Sequence, residues 1–171
     1  PNATILDFFA GSGTTMHAVA LLNAEDGGQR QSILVTNNEV SVAEAAALKD
    51  QGLKPGDDEW EKLGIFHHVT VPRVRAAIQG LTPAWQPIAG DYLGTGLPIA
   101  DGLVENAEFF DLTYEDPDLI NLGRKFEAVA PLLWMRAGSR GARINEQAAD
   151  WALPDDAFYG ILFDTDKLRD F

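Results

Sequence analysis

Ile5-Leu6-Asp7-Phe8-Phe9-Ala10-Gly11-Ser12-Gly13-Thr14-Thr15 decides how this chain is read: an apolar run, an acid and a Gly-Ser-Gly turn follow one another without a spacer. The pattern predicts a buried strand ending near Asp7, then a sharp turn at two glycines that lets a ligand approach the backbone. Thr14 or Thr15 then opens a helix whose first N–H groups lack partners. Three ligand classes use such a turn. A phosphate-cradling P-loop ends in Gly-Lys-Ser/Thr, and no Lys lies here. A dinucleotide fingerprint wants a third small residue where Met16 stands, since that position packs helix on strand under the pyrophosphate. S-adenosylmethionine has no phosphate to hold. It asks only for close backbone approach, a nearby acid, and a second acid for the ribose hydroxyls.

Working outward, residues 15–24 carry Met16, Val19 and Leu22 at helical spacing, and Asp26-Gly27-Gly28 supplies a stop. Ser32-Ile33-Leu34-Val35-Thr36 suits the second, parallel strand of a βαβ unit. It leads into Asn37-Asn38-Glu39. Ligands of open α/β sheets sit beyond the carboxyl ends of strands, so Glu39 is expected on the rim that carries Gly11 and Gly13.

Residues 41–53 read as a helix capped by Ser41 and stopped at Gly52, with a short helix expected over 59–63. His67 and His68 are adjacent and point different ways, which argues against a shared metal and for one buried structural histidine. Thr70 as cap, Pro72 early and Gly80 as stop predict a helix over 72–79, with Val74, Ala77 and Ile78 inward and Arg73 and Arg75 solvated or paired with acids. Residues 81–102 hold seven Gly or Pro, a loop or hairpin tip expected to be mobile or to contact a partner. A strand over 108–114, a helix over 119–130, an apolar restart at Pro131 and a late strand over 159–164 follow. Arg136, Arg140 and Arg143 make the notable basic patch.

Composition is ordinary for one globular domain, 46% hydrophobic and 23% charged in 171 residues. No run approaches membrane-spanning length and the first residues form no charged leader, so a cytoplasmic protein is expected. The absence of Cys excludes disulfides, thiolate metal sites and a thiol nucleophile within these residues. A net charge of −13 is the wrong sign for a surface that grips phosphates.

Asp7-Phe8-Phe9-Ala10-Gly11-Ser12-Gly13-Thr14-Thr15, followed by an amphipathic helix, resembles the cofactor motif of the amino-directed DNA methyltransferases, notably the group that places it after the catalytic tetrapeptide. The strings Glu-Asn-Ala-Glu-Phe-Phe-Asp-Leu-Thr-Tyr at 105–114, 130–138 and 159–164 look like the tail of larger bacterial modification methylases, similar to type III methylase subunits. The resemblance implies a partial Rossmann-like α/β methyltransferase fold: a cofactor half over 1–80, the loop 81–102, and an appended α+β region over 103–171. It implies S-adenosylmethionine as cofactor. Asp7 would orient its methionine moiety, Phe8 and Phe9 would wall it, and Ala10, Gly11, Ser12, Gly13, Thr14 and Thr15 would form the turn. Asn38 and Glu39 would serve the ribose. One of the two phenylalanines is expected to point into the core.

The implied reaction is methyl transfer to an exocyclic amino group of a flipped adenine or cytosine. The implied partners are DNA, a restriction or helicase subunit and a second copy, with no membrane. The family's Asp/Asn/Ser-Pro-Pro-aromatic tetrapeptide does not occur, and Asp116-Pro117-Asp118-Leu119, the nearest string, reads as a turn. No catalytic residue is therefore assigned within the chain. A nucleotide-dependent oxidoreductase and a degenerate non-catalytic methyltransferase-like module remain the alternatives.

Overall fold

A computed structural model of the chain describes residues 2–121, 125–147 and 150–169. It comprises mixed helices and small sheets in two compact units, Pro1–Phe109 and Phe110–Phe171. Residues 81–102 lie inside the first unit.

The first unit is organised on β1 (Thr4–Asp7), α1 (Thr14–Asp26) and β2 (Gln31–Leu34). The strands are parallel, with Leu6 opposite Ile33 and Asp7 opposite Leu34, so both carboxyl ends reach one rim. Helix α1 begins after Gly13 in the left-handed region (φ 78°) with no side-chain cap, and ends at Gly27, also left-handed. Met16, Val19 and Ala20 are its buried face, whereas Leu22, expected inward, is exposed. Asn23 takes the inward position instead. Its amide donates to the Arg30 carbonyl (3.0 Å) and to Glu105 (2.7 Å) and accepts from Arg30 N (3.0 Å), stitching the helix end to the start of β2.

Asp26 and Arg30 are ion-paired at 2.7 Å, and that hydrogen bond holds the Asp26 carboxyl down at about 2. A depressed folded-state pKa means the contribution is complete above the ordinary carboxylate pKa of about 4 and is lost as pH falls toward 2. The Asp26 carboxyl carbon should titrate near 2 by NMR in the wild type and near the ordinary value in Arg30→Gln. An ordinary midpoint in the wild type would remove the pair from the account.

Ser41 caps α2 (Val42–Asp50), accepting from Glu44 N at 3.3 Å. After α3 (Asp58–Glu61) the chain makes a π turn (Phe66–Thr70) that runs into α4 (Val71–Gln79). Val74 and Ala77 of α4 pack on Met16 and Ala20 of α1, with Leu103 closing the cluster. Thr70 does not cap α4, contrary to expectation, because the π turn already supplies helical backbone before it. Of the two arginines expected to be solvated or paired with acids, Arg75 is exposed, with its guanidinium over the Phe109 ring, whereas Arg73 donates to Ser12 Oγ (2.9 Å) and Thr14 Oγ1 (3.0 Å).

Residues 81–102, expected as a loop or hairpin tip, fold into tight turns closed by isolated bridges. Leu81 bridges Pro87, Asp91 bridges Pro98, and the Tyr92 hydroxyl shares a 2.9 Å hydrogen bond with His17 Nε2. No strand forms over 108–114. Leu112 and Tyr114 are almost fully exposed, and Phe109 packs edge-on against Phe66 instead.

The face of the β1–β2 pair that bears Leu6 and Ile33 is open: Leu6 is 51% exposed and Ile33 47%. This corrects the expectation of a strand buried on both faces. Parallel sheets are ordinarily covered on both.

In the second unit α5 (Pro117–Asn121) starts at the Asp-Pro string read as a turn, where Asp116 accepts from Asp118 N at 2.9 Å. The helix expected over 119–130 includes residues 122–124, which lie outside the described residues. Helix α6 (Phe126–Arg136) runs through Pro131 without restarting. A two-residue antiparallel pair, β3 (Trp151–Ala152) and β4 (Ile161–Leu162), replaces the longer late strand. Ala130 and Ile144 are buried, and Phe126 meets Phe163 at 4.9 Å. Of the basic patch, Arg140 and Arg143 lie over Phe158 and Phe110, at 5.1 and 5.6 Å, and Arg136 is exposed at the end of α6.

Candidate cofactor cleft

A strand that ends in an acid and a double glycine turn needs something to hold the turn closed, and Asp7 does so. Its Oδ1 accepts from Phe9 N (3.0 Å) and its Oδ2 from Thr15 Oγ1 (2.5 Å), so one carboxylate spans both sides of the bend. Those hydrogen bonds, Thr15 first, hold its pKa below the ordinary value. Ala10 is buried and donates to the Val35 carbonyl (3.1 Å), tying the turn to the end of β2. Gly11 and Gly13 both have positive φ, 49° and 78°. Gly13 packs where a Cβ would stand 3.2 Å from Thr70 Cγ2.

An open cleft of about 670 Å³ lies along this rim. Of the sequence-predicted residues, Phe8, Phe9, Gly11 and Glu39 line it. Asp7, Ala10, Ser12, Gly13, Thr14 and Thr15 build the turn behind it. Phe8 and Phe9 are 62% and 95% exposed. Neither points into the core, because β1 stops at Asp7 and strand alternation stops with it.

Asn38 faces away from the cleft into its own network. Its Nδ2 donates to the carbonyl and carboxylate of Glu61 (2.8 Å each), and its Oδ1 accepts from Phe66 N (3.1 Å) and His67 N (3.4 Å). This hydrogen bond, with another from Gly56 N, lowers the Glu61 pKa. A Cβ at Gly64 would overlap the Asn38 amide, so only glycine lets this segment lie against it. Glu39 accepts at its carboxylate from Asn37 Nδ2 (2.5 Å) and at its carbonyl from Ile65 N (2.9 Å).

Leu63, Ile65, His68 and Val69 also line the cleft, and sequence reasoning did not select them. The apolar run beside the histidine pair was the available signal, but a π turn has neither the helical nor the strand period that would have assigned it. Both His67 and His68 are exposed, so the expected buried histidine is not found there. His17 is the partly buried one, its pKa lowered by burial and by the nearby Arg73 charge. Together the cleft presents an acid, exposed backbone at a glycine turn, and apolar walls.

Comparison with known proteins places this chain in a recognised context. It is 66% identical over 38 residues to the type II methyltransferase M.KpnI of Klebsiella pneumoniae, covering 22% of this chain and 9% of that protein. It is 40% identical over 83 residues to the Mod subunit of the type III restriction-modification enzyme StyLTI of Salmonella typhimurium, covering 48% of this chain and 12% of the subunit. It is 54% identical over 39 residues to the EcoPI Mod subunit of Escherichia phage P1, covering 23% and 6%. The chain is therefore related to the methyltransferases of restriction-modification systems, and it matches about a tenth of the length of each. No family model matches, and no solved structure matches. Among the described residues no helix is long and apolar enough to cross a membrane.

Proposed function

We propose that this chain is the cofactor-binding part of a DNA methyltransferase and holds S-adenosylmethionine in the cleft between the glycine turn and the Leu63–Ile65 wall. The observation that carries the reading is the convergence of Gly11 and Glu39 on one cleft at the carboxyl ends of two parallel strands. Glu39 accepts the ribose hydroxyls. The Gly11–Gly13 backbone passes close to the amino-acid end, which Asp7 serves by holding the turn, and Phe8 and Phe9 wall the ligand. Asn38 acts at one remove, through the segment it fastens. The two strands and α1 are then the first unit of a Rossmann-like fold, and the open Leu6–Ile33 face is covered by further layers of the same domain. The assembled enzyme transfers the methyl group to an exocyclic amino group of adenine or cytosine, with a restriction subunit as partner and the cytoplasm as its place of action.

Titration calorimetry tests this directly. S-adenosylmethionine should bind and NAD should not, and binding should weaken by about tenfold or more in Glu39→Ala, through a lost charge-assisted hydrogen bond to the ligand, and in Asp7→Ala, through the glycine turn its carboxylate no longer closes. Binding of NAD alone would favour an oxidoreductase. Binding of neither, with a normal melting curve, would favour a non-catalytic module.

A further inference from the structure

We infer that Thr70 is the positioning residue that holds the glycine turn against the Ile65 segment of the cleft. This rests on the cofactor reading above. Thr70 is a buried polar side chain, 4% exposed, outside the cleft lining. Its Oγ1 lies 2.5 Å from the Gly11 carbonyl oxygen and 3.0 Å from the Ile65 carbonyl oxygen. Gly11 and Ile65 both line the cleft, one from the glycine turn and one from the residue before the π turn. They come together here: a Cβ on Gly11 would stand 3.9 Å from Ile65 Cδ1.

A hydroxyl has one proton, so it can donate to only one carbonyl at a time, and the shorter distance assigns it to Gly11. The π turn is what makes the reach possible. It shifts the register so that Thr70 meets the carbonyl five residues back, at Ile65, while its side chain still faces the glycine turn. The methyl group has a separate task, packing where Gly13 has no Cβ. The two atoms of this side chain therefore make different predictions. Loss of the hydroxyl frees Gly11 from the π turn that follows Ile65 and lets the glycine turn move relative to that segment. Loss of the methyl leaves a small void beside Gly13 and Val74 without releasing the turn.

The experiment measures S-adenosylmethionine affinity by calorimetry and melting temperature for the wild-type chain, Thr70→Val, Thr70→Ser and Thr70→Ala. Affinity should follow the hydroxyl: Thr70→Ser stays within about twofold of wild type despite a lower melting temperature, and Thr70→Val and Thr70→Ala weaken roughly three- to tenfold, the range of one neutral hydrogen bond. Rescue by serine at reduced stability is the signature a merely structural role would not give. If Thr70→Val does not melt cooperatively, the Thr70→Ser and Thr70→Ala pair decides, since they differ only in the hydroxyl. Equal affinity in wild type and Thr70→Val, or in Thr70→Ser and Thr70→Ala, overturns the positioning role and leaves the cofactor reading standing. So does affinity that tracks melting temperature. No binding by the wild type removes the cofactor reading, and this inference with it.

Discussion

Gly102→Ala is expected to destabilise the first unit by about 3 kcal/mol or more, the sum of a backbone conformation that only glycine adopts freely and an overpacked contact. Gly102 has φ 66° and ψ 178°, and a Cβ there would overlap the Ile78 carbonyl oxygen and stand 3.0 Å from the Gln79 carbonyl carbon. Both obstacles are main chain, so no side chain can swing aside. Gly80 is the reciprocal position, at φ 70°, where a Cβ would overlap the Ala100 carbonyl oxygen. The two glycines let the end of α4 and the segment after the loop touch backbone to backbone. That contact sets Leu103, whose N–H donates to the Ala77 carbonyl (3.0 Å), into the core beside Met16 and Val74. Since a domain this size has about 5–15 kcal/mol of stability in all, the loss is a large share. Gly52→Ala is the control: φ is 81° but nothing lies within 4 Å of its Cβ, so it should cost only the left-handed penalty of about 1–2 kcal/mol. Thermal and urea unfolding of the two variants and the wild type checks this. If Gly102→Ala unfolds together with Gly52→Ala, the backbone contact is not what holds the segment.

What the sequence made legible was local. The Asp7 to Thr15 turn, α1 with its Gly27 stop and the Ser41 cap each depend on residues within a few positions of one another, and each forms as the pattern predicts; β2 also forms as expected, as a parallel strand one helix after β1. Leu22 was misassigned because three helical positions at correct spacing do not say which side of the stripe meets α4. The run over 108–114 has strand-like residues, but a strand needs a partner edge, and among the described residues none pairs with it. Arg73 looked like a solvated cation from its neighbours in sequence. It reaches Ser12 and Thr14 only because α4 crosses the glycine turn, about sixty residues away in the chain. Ile65 in the cleft lining and Thr70 behind it were missed for a similar reason: a π turn brings them to the site, and nothing in hydrophobic periodicity announces one.

The largest effect on activity is expected from the chain's own boundaries of chemistry: these 171 residues should transfer no methyl group to DNA. Amino-group methylation in the family resembled depends on a Pro-Pro tetrapeptide whose carbonyls and acid polarise the amino group, and no Pro-Pro pair occurs in this sequence. Asp116-Pro117, the nearest string, opens α5 and is occupied in capping it. Duplex binding is opposed as well, because a net charge of −13 repels a polyanion. Only the patch of Arg136, Arg140 and Arg143 opposes that repulsion, with Arg140 and Arg143 laid over Phe158 and Phe110. The two obstacles are independent, so relieving one does not restore activity. Added salt, for example, screens the repulsion but supplies no acid to the base. A tritiated-methyl transfer assay on an unmethylated duplex checks this, run on the 171-residue chain and on any longer polypeptide of the same locus that supplies a Pro-Pro-aromatic segment. Transfer by the short chain would mean that the catalytic groups lie among residues read here as structural, with the exposed His68 and Glu39 of the cleft the first to be replaced. Transfer by the longer polypeptide alone, lost again in Glu39→Ala, would join the cleft described here to that chemistry.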